Sequence, residues 1–203
     1  MGLVLIMKYN SHLLGATVYP EHKTILFYGG IFSQWAEADF NIQIGDHFYK
    51  VNCAEQAMML KKAEISGDEE TFDRIRKATH PSEQKKLGRM VKNFNPEYWS
   101  QISLDWVTRV NVEKFSQNAA WRELLLLTDP YELVEASPTD RIWGIGYGEE
   151  NPIVFEEKDK WGQNLLGVAL MTTRDVLLGR DTSVEFKGEG GIVDILRDIE
   201  TKI

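Results

Sequence analysis

Two ionisable residues, Glu55 and Lys62, lie in an otherwise mostly apolar segment and are the first candidates for chemistry. In a helix over 51–63, at about 100° per residue, they share one stripe with Met58 and Met59. The remaining positions are largely apolar too, which predicts a helix enclosed by protein, where an ionised side chain must be paired or hydrogen-bonded. A carboxyl group and an amine in such surroundings can act as acid or base and as nucleophile.

The reactivity of this pair depends on its arrangement. Burial lowers the pKa of a lysine, whereas the negative charge of Glu55 raises the pKa of Lys62. Glu55 also has a structural alternative: Asn52 is a suitable N-cap, and Glu55 then occupies the third helical position, from which a capping-box glutamate reaches back.

Three further segments hold residues that could contact a ligand. Asp140 and Trp143 lie in a glycine-bounded loop, a combination suited to holding a sugar hydroxyl and stacking a base. Arg89 follows two lysines and could make a bidentate phosphate contact. Trp99 is either core or pocket wall. Taken singly, a surface turn for Asp140, a solvated basic face and a core tryptophan are the simpler alternatives.

Hydrophobic periodicity predicts the elements that must position these residues. Strands are expected within 13–30 and at 131–137, and two further strands are expected to form a hairpin within 36–52 that turns at Gly45-Asp46. Helices are expected after the hairpin and at 68–79, 81–91, 96–118, 119–128 and 161–179. This pattern is typical of a single compact α+β domain in which helices predominate. The domain is expected to span 1–178, followed by an extension at 179–203 with a glycine-rich linker and a short helix.

The composition limits the classes of protein to consider. The chain of 203 residues is 43% hydrophobic and 27% charged, which indicates a globular protein. No apolar run reaches the roughly 18 residues of a membrane span or forms a signal sequence, so a cytoplasmic location without membrane partners is expected. A net charge of -8 disfavours general nucleic-acid binding and favours small molecules. Nothing in the sequence indicates the oligomeric state.

Metal and disulfide chemistry are not expected. Cys53 is the single cysteine, which fits a reducing compartment, and a small buried hydrophobe is its simplest interpretation. The four histidines (His12, His22, His47 and His80) lack ligand spacing.

The order of several segments resembles the NADAR (YbiA-like) family over about residues 25–178. These segments are FYGGIFSQW, AEQAMMLKKA, PSEQKKLGR, VEKFSQNAAWRELLLLT, ELVEASPTDRIWGIG and GQNLLGVALMTTRDVL. The resemblance implies a mostly helical α+β domain that hydrolyses N-glycosidic bonds of ribosyl phosphates without a cofactor. The substrates it implies are ribosylamino-pyrimidine phosphates of riboflavin biosynthesis or ADP-ribosyl compounds, including ADP-ribosylated guanine in nucleic acid.

The resemblance also implies site residues. Glu55 is expected as general acid/base, Lys62 as Schiff-base nucleophile and Asp140 as the carboxylate that orients the sugar. The predicted substrate-binding residues are Ser33, Arg89, Trp99, Trp143, Gly144, Gly146 and Asn164.

This chain departs from the family pattern at three places. Ser33-Gln34-Trp35 stands where Ser-Asn-Phe is usual, Gln56 replaces a frequent histidine, and the lysine-rich approach to the last signature is reduced to WGQN. All three are expected near the pocket, where they would tune the base or phosphate accepted. The alternative function is a non-catalytic module that binds NAD or ADP-ribose, which the retention of both Glu55 and Lys62 disfavours. A purely structural or interaction protein has little support.

Overall fold

The computed structural model describes residues 15–180. Residues 1–14 and 181–203 lie outside the described residues, and with them most of the extension predicted for 179–203. The predicted domain boundary therefore stays a prediction.

Within residues 15–180 the chain forms five strands and six helices, and the predicted α+β class with helices predominating is confirmed. The strands are β1 Ala16–Tyr19, β2 Thr24–Phe27, β3 Phe40–Ile44, β4 His47–Val51 and β5 Glu132–Glu135. The helices are α1 Ala54–Ile65, α2 Glu69–Lys77, α3 Pro81–Gly88, α4 Pro96–Ser116, α5 Ala119–Leu126 and α6 Leu165–Leu177. Short 3-10 turns lie at Pro20–His22, Gly30–Phe32 and Lys158–Lys160.

The three-stranded sheet joins two distant parts of the chain. β2 pairs with β1 antiparallel and with β5 parallel, in a register that sets Thr24 opposite Glu132 and Phe27 opposite Glu135. The backbone N–H of Ala136 donates to the Phe27 carbonyl at 2.8 Å and continues this pairing. Since parallel strands end at the same edge, the loop after β2 and the loop after β5 leave the sheet side by side.

Helix α1 is enclosed, as its composition predicts. Cys53, Ala54, Ala57, Leu60 and Ala63 are fully buried among α2, α3, α4 and the β3–β4 hairpin. The hairpin turns at a glycine with a φ of 58°, in the predicted position. A charged side chain on this helix is therefore surrounded by protein, and its protonation depends on its neighbours.

The start of α1 removes the capping explanation for Glu55. The helix is capped at Cys53, one residue later than predicted, so Gln56 occupies the third helical position. Its Oε1 accepts from the Asn52 backbone N–H at 2.9 Å, the contact that the sequence analysis allowed for Glu55. The Gln56 amide nitrogen donates to backbone carbonyls at the end of α2, and its expected influence on the pocket stays a prediction.

Helix α4 is the longest helix within residues 15–180, and it packs against the core over most of its length. Asn95 caps it by accepting from the Glu97 and Tyr98 N–H groups, both at 3.0 Å. Its apolar face packs against α1 and α6. Over residues 15–180, no helix has both the length and the apolar character needed to cross a bilayer.

Candidate active site

Glu55 is a buried carboxyl group on α1. The residue is 5% exposed, and its Oε1 has no hydrogen-bond partner among the described residues. Burial raises the pKa of Glu55, whereas the positive charges of Lys85 and Lys62 lower it. An interaction of the Trp35 side chain and the charge of Arg89 also favour the ionised form. Glu55 is thus a carboxyl whose proton is bound more tightly than in water, next to a group of cations.

Lys62 lies about two helical turns along from Glu55 on the same stripe, and it faces aromatic rings. Its Nζ is 5.0 Å from the Phe94 ring centroid and 5.2 Å from that of Trp99. Burial lowers the pKa of Lys62, the charge of Glu55 raises it, and the nearby cations lower it. The adjacent Lys61 differs, since its Nζ pairs with Glu64 at 2.8 Å. Lys62 is therefore the lysine of this helix with the character of a nucleophile.

Trp99 belongs to the core. It is 8% exposed, and its ring also lies against the Lys62 amine. The core alternative fits this burial, and the role of Trp99 as a pocket wall stays a prediction.

Helix α3 brings two further cations to α1. The two helices approach closely at Gly88, where a Cβ atom would lie 1.9 Å from the Met59 sulfur. Lys85 places its Nζ 5.7 Å from the Trp35 ring centroid, and Arg89 lies exposed at the end of the helix. Both cations act on the pKa values of the α1 pair, so the α3 segment is part of the site.

Asp140 organises the loop after β5. Its Oδ1 accepts from the backbone N–H groups of Ile142 at 2.8 Å and Trp143 at 2.9 Å, and its own N–H donates to Ser137 Oγ at 3.2 Å. Trp143 is half-buried and packs on the main core. The predicted Asp140–Trp143 pair is thus one rigid turn in the structure, which presents a carboxylate at the sheet edge.

Sequence reasoning missed Glu135, the last residue of β5. Its Oε2 is buried and has no hydrogen-bond partner among the described residues. Burial raises the pKa of Glu135 to about 7, the negative charges of Asp140 and Glu55 add to the rise, and Lys85 opposes it. A glutamate at the end of a short strand looks unremarkable in a sequence. The signal that could have found it is its place at the carboxyl end of a parallel strand.

Three predicted binding residues support the backbone around Glu135. Asn164 donates from Nδ2 to the Leu133 carbonyl and accepts at Oδ1 from the Glu135 N–H, both at 2.9 Å. Gly144 passes so close that a Cβ atom would lie 2.8 Å from the Glu135 carbonyl oxygen. Gly146 has a φ of 78° and continues the turn. Direct substrate contacts by these three residues stay predictions.

The loop after β2 contacts the start of α1. Ser33 Oγ accepts from the Trp35 N–H at 3.1 Å, and the Ser33 carbonyl accepts from the buried Lys114 amine at 2.8 Å. The Gln34 carbonyl accepts from the Glu55 N–H at 2.9 Å, which ties this loop to the start of α1. We refer to Glu55, Lys62, Lys85, Glu135 and Asp140 as the active-site cluster, because their charges act on one another.

A concavity of about 500 Å³ lies apart from this cluster, between the β3–β4 hairpin and helices α1 and α2. It is lined by residues such as Tyr49, Asp68, Phe72 and Arg76 and by no predicted site residue. This concavity does not coincide with the active-site cluster, and the candidate active site is assigned from the perturbed pKa values of its carboxyl groups.

The chain is similar to several known proteins. A family model described as the NADAR domain matches residues 26–178. N-glycosidase R617 of Acanthamoeba polyphaga mimivirus is 43% identical over 147 residues, which cover 71% of this chain and 86% of the relative. Protein irg-1 of Caenorhabditis elegans is 36% identical over 177 residues, or 80% and 82% of the two chains.

A solved structure shares the fold. The NMR structure of the Escherichia coli protein YbiA superposes with a TM-score of 0.60 at 24% identity, covering 85% of this chain and 96% of that one. Because the family model extends from within β2 through the active-site cluster to the end of α6, the resemblance inferred from the sequence is confirmed: the chain belongs to the NADAR family.

Proposed function

We propose that this protein is an N-glycosidase, a hydrolase that cleaves the bond between a base nitrogen and C1′ of a ribosyl phosphate or ADP-ribosyl group. The observation that carries the proposal is the buried Glu55 carboxyl, which has an unpartnered oxygen and shares its stripe with Lys62. The name of the mimivirus relative, N-glycosidase R617, supports the same reaction class.

Lys62 acts as the nucleophile. Its amine attacks C1′, the carbon that carries positive charge in the transition state, and the C1′–N bond to the base breaks. The burial that lowers the Lys62 pKa favours the neutral amine that this attack needs. About 10 Å of helix separates the backbones of Glu55 and Lys62, which leaves room for a sugar between the two side chains.

Glu55 moves the protons at the sugar. It accepts a proton from the Lys62 amine once the new C1′–N bond has formed, and it gives this proton to the ring oxygen as the sugar opens to an imine. Water then hydrolyses the imine, which frees the amine and releases the sugar aldehyde. The departing base nitrogen also needs a proton, and neither Glu55 nor Lys62 supplies it.

The cations at α3 would favour a phosphorylated sugar. Lys85 lies beside Trp35, the charge of Arg89 also acts on Glu55, and a phosphate or diphosphate bound by the two cations would receive charge-assisted hydrogen bonds. Trp99 and Trp143 supply flat apolar surface for the base. Ribosylamino-pyrimidine phosphates and ADP-ribosylated guanine both present ribose, phosphate and a flat base, and the net charge of -8 favours the small molecule.

Adjacent lysines provide a matched test. Base release is measured by chromatography for a ribosylamino-pyrimidine phosphate, free ADP-ribosyl guanine and an ADP-ribosylated oligonucleotide. We expect Lys62→Met to lower turnover by at least about 10²-fold. Lys61→Met, which removes the paired neighbour, should change it by only a few-fold.

Borohydride trapping identifies the nucleophile in the same samples. Reduction during turnover should leave a sugar adduct that peptide mapping places on Lys62. An active Lys62→Met variant, or an adduct on another lysine, would contradict the mechanism. ADP-ribose binding by calorimetry without release of any base would instead identify the non-catalytic module.

A further inference from the structure

Glu135 is a carboxyl group that the mechanism above does not use, on a face of the sheet where a charge is costly. Along β5, Leu133 belongs to the main core, whereas Val134 packs into a second cluster on the other face. Side chains alternate along a strand, so Glu135 points to the same side as Leu133, toward the main core. Its strand partner there is Phe27, which is fully buried.

A structural role would require a hydrogen-bond partner, which Oε2 of this carboxyl lacks among the described residues. The charged groups that face Glu135 are Asp140 from the following loop, Glu55 from α1 and Lys85 from α3. Two of these three repel a carboxylate. A buried carboxylate without a direct partner is destabilising, and replacing it by an apolar side chain would stabilise the fold. The arrangement instead suits a carboxyl group that keeps its proton.

The backbone of Glu135 is held from three directions. Its N–H donates to Asn164, its carbonyl accepts from the Ile145 N–H at 3.0 Å, and Gly144 packs against that carbonyl. These contacts fix the position from which the side chain reaches toward Glu55. A proton donor needs this kind of placement, because proton transfer depends on sub-ångström distances.

We propose that Glu135 is a further catalytic residue, the general acid that delivers a proton to the departing base. The inference rests on the proposed N-glycosidase function. As the C1′–N bond breaks, its electron pair stays on the base nitrogen, which takes the Glu135 proton while Lys62 bonds to C1′. The base leaves as a neutral molecule, and Glu135 recovers a proton from water before the next turnover.

The surroundings of Glu135 match this task at neutral pH. Burial and the charges of Asp140 and Glu55 raise its pKa to about 7, near the value at which a general acid is most effective. Asp140 thereby has a second role, since its negative charge helps to keep the proton on Glu135. The two glutamates have different roles: Glu135 protonates the departing base, and Glu55 transfers protons at the sugar.

The test compares four proteins: the wild type, Glu135→Gln, Glu135→Asp and the control Glu132→Gln. Glu132 lies at the other end of β5, half-exposed and paired with Lys158 at 2.7 Å. kcat/KM for a ribosylamino-pyrimidine phosphate is measured from pH 5 to 9. In the wild type and Glu132→Gln, it should fall on the alkaline side with a midpoint near the Glu135 pKa of about 7.

Glu135→Gln should lower kcat/KM at neutral pH by about 10²-fold or more and abolish this alkaline fall. Glu135→Asp, which keeps an acid, should be slower and yet retain the fall. A merely structural role would lower the rate of both variants and leave the shape of the profile unchanged, and this outcome would overturn the inference.

Infrared titration of the carboxyl bands without substrate separates failure of the inference from failure of the function. A band titrating near neutral pH should disappear in Glu135→Gln and persist in Glu132→Gln. If the wild type releases no base from any substrate, the N-glycosidase proposal fails, and the catalytic role of Glu135 fails with it. If the wild type is active and the band or the pH profile is unaffected by Glu135→Gln, only the role of Glu135 is overturned.

Discussion

Replacing Asn164 should destabilise the protein far more than replacing an ordinary polar residue. The side chain joins α6 to β5 through two hydrogen bonds of 2.9 Å, to the Leu133 carbonyl and from the Glu135 N–H. Asn164 also has a left-handed backbone, with a φ of 51°. Asparagine tolerates this conformation better than most residues with a side chain. Asn164→Ala thus removes both contacts and introduces backbone strain.

The expected loss follows from these contacts. Each lost hydrogen bond leaves a buried backbone group without a partner, at about 1–3 kcal/mol per group. An alanine in the left-handed region adds about 1 kcal/mol. The free energy of unfolding should therefore fall by about 3–7 kcal/mol in Asn164→Ala. Asn164→Gly loses the same hydrogen bonds without the strain and should be milder by up to about 1 kcal/mol.

Urea unfolding followed by circular dichroism measures these differences. Asn151→Ala is the control, because its Oδ1 accepts from the Ile153 N–H at 3.1 Å in an exposed turn, where water can replace the lost contact. A loss below about 1 kcal/mol in Asn164→Ala would refute the view that these contacts hold β5 in place. Equal losses in the alanine and glycine variants would refute the strain contribution alone.

Three further changes test the core around the site. Gly88→Ala sets a Cβ atom 1.9 Å from the Met59 sulfur, so the free energy of unfolding should fall by about 1–3 kcal/mol, as measured by thermal melting. In a chain that also carries Met59→Ala, the alanine at position 88 should cost less stability. Burial lowers the pKa of Lys114 from 10.5 to about 7, so between these pH values the unfolded chain binds more protons than the folded protein. The free energy of unfolding in urea should therefore rise with pH across this window in the wild type, and it should rise less in Lys114→Met. Burial raises the pKa of the Cys53 thiol to about 11, so iodoacetamide at pH 8 should alkylate it slowly in the native protein and rapidly in urea, as followed by intact mass.

The sequence predicted the elements well because their signals are local. Helix α1, its enclosed character and its stripe with Glu55 and Lys62 follow from periodicity alone. Periodicity could not decide whether Glu55 caps the helix or takes part in the chemistry. A one-residue error in the helix start decides whether Glu55 or Gln56 occupies the capping position. Only the structure shows that Cys53 is the cap.

The site residues that the sequence did not reveal depend on contacts between distant segments. The sequence analysis named the segment of Lys85 as a possible ligand contact but left a solvated basic face as the alternative, and Lys85 approaches the site because Gly88 lets α3 pack closely on α1. Glu135 becomes a buried carboxyl only once β5 pairs with β2 and the Asp140 loop folds back. No periodicity records such contacts, which belong to tertiary structure.

The parallel pairing of β2 with β5 also determines when catalytic competence appears during synthesis. Thr24 and its partner Glu132 lie more than a hundred residues apart, so this pairing closes one of the longest loops in the described chain. Such contacts form late, because the chain must first lose the entropy of the intervening segment. A nascent chain that has left the ribosome only as far as α4 already carries Glu55 and Lys62 but lacks Glu135 and Asp140. Under the proposed roles of Glu135 and Asp140, glycosidase activity requires the last strand of the sheet, and chains that end before β5 should be inactive.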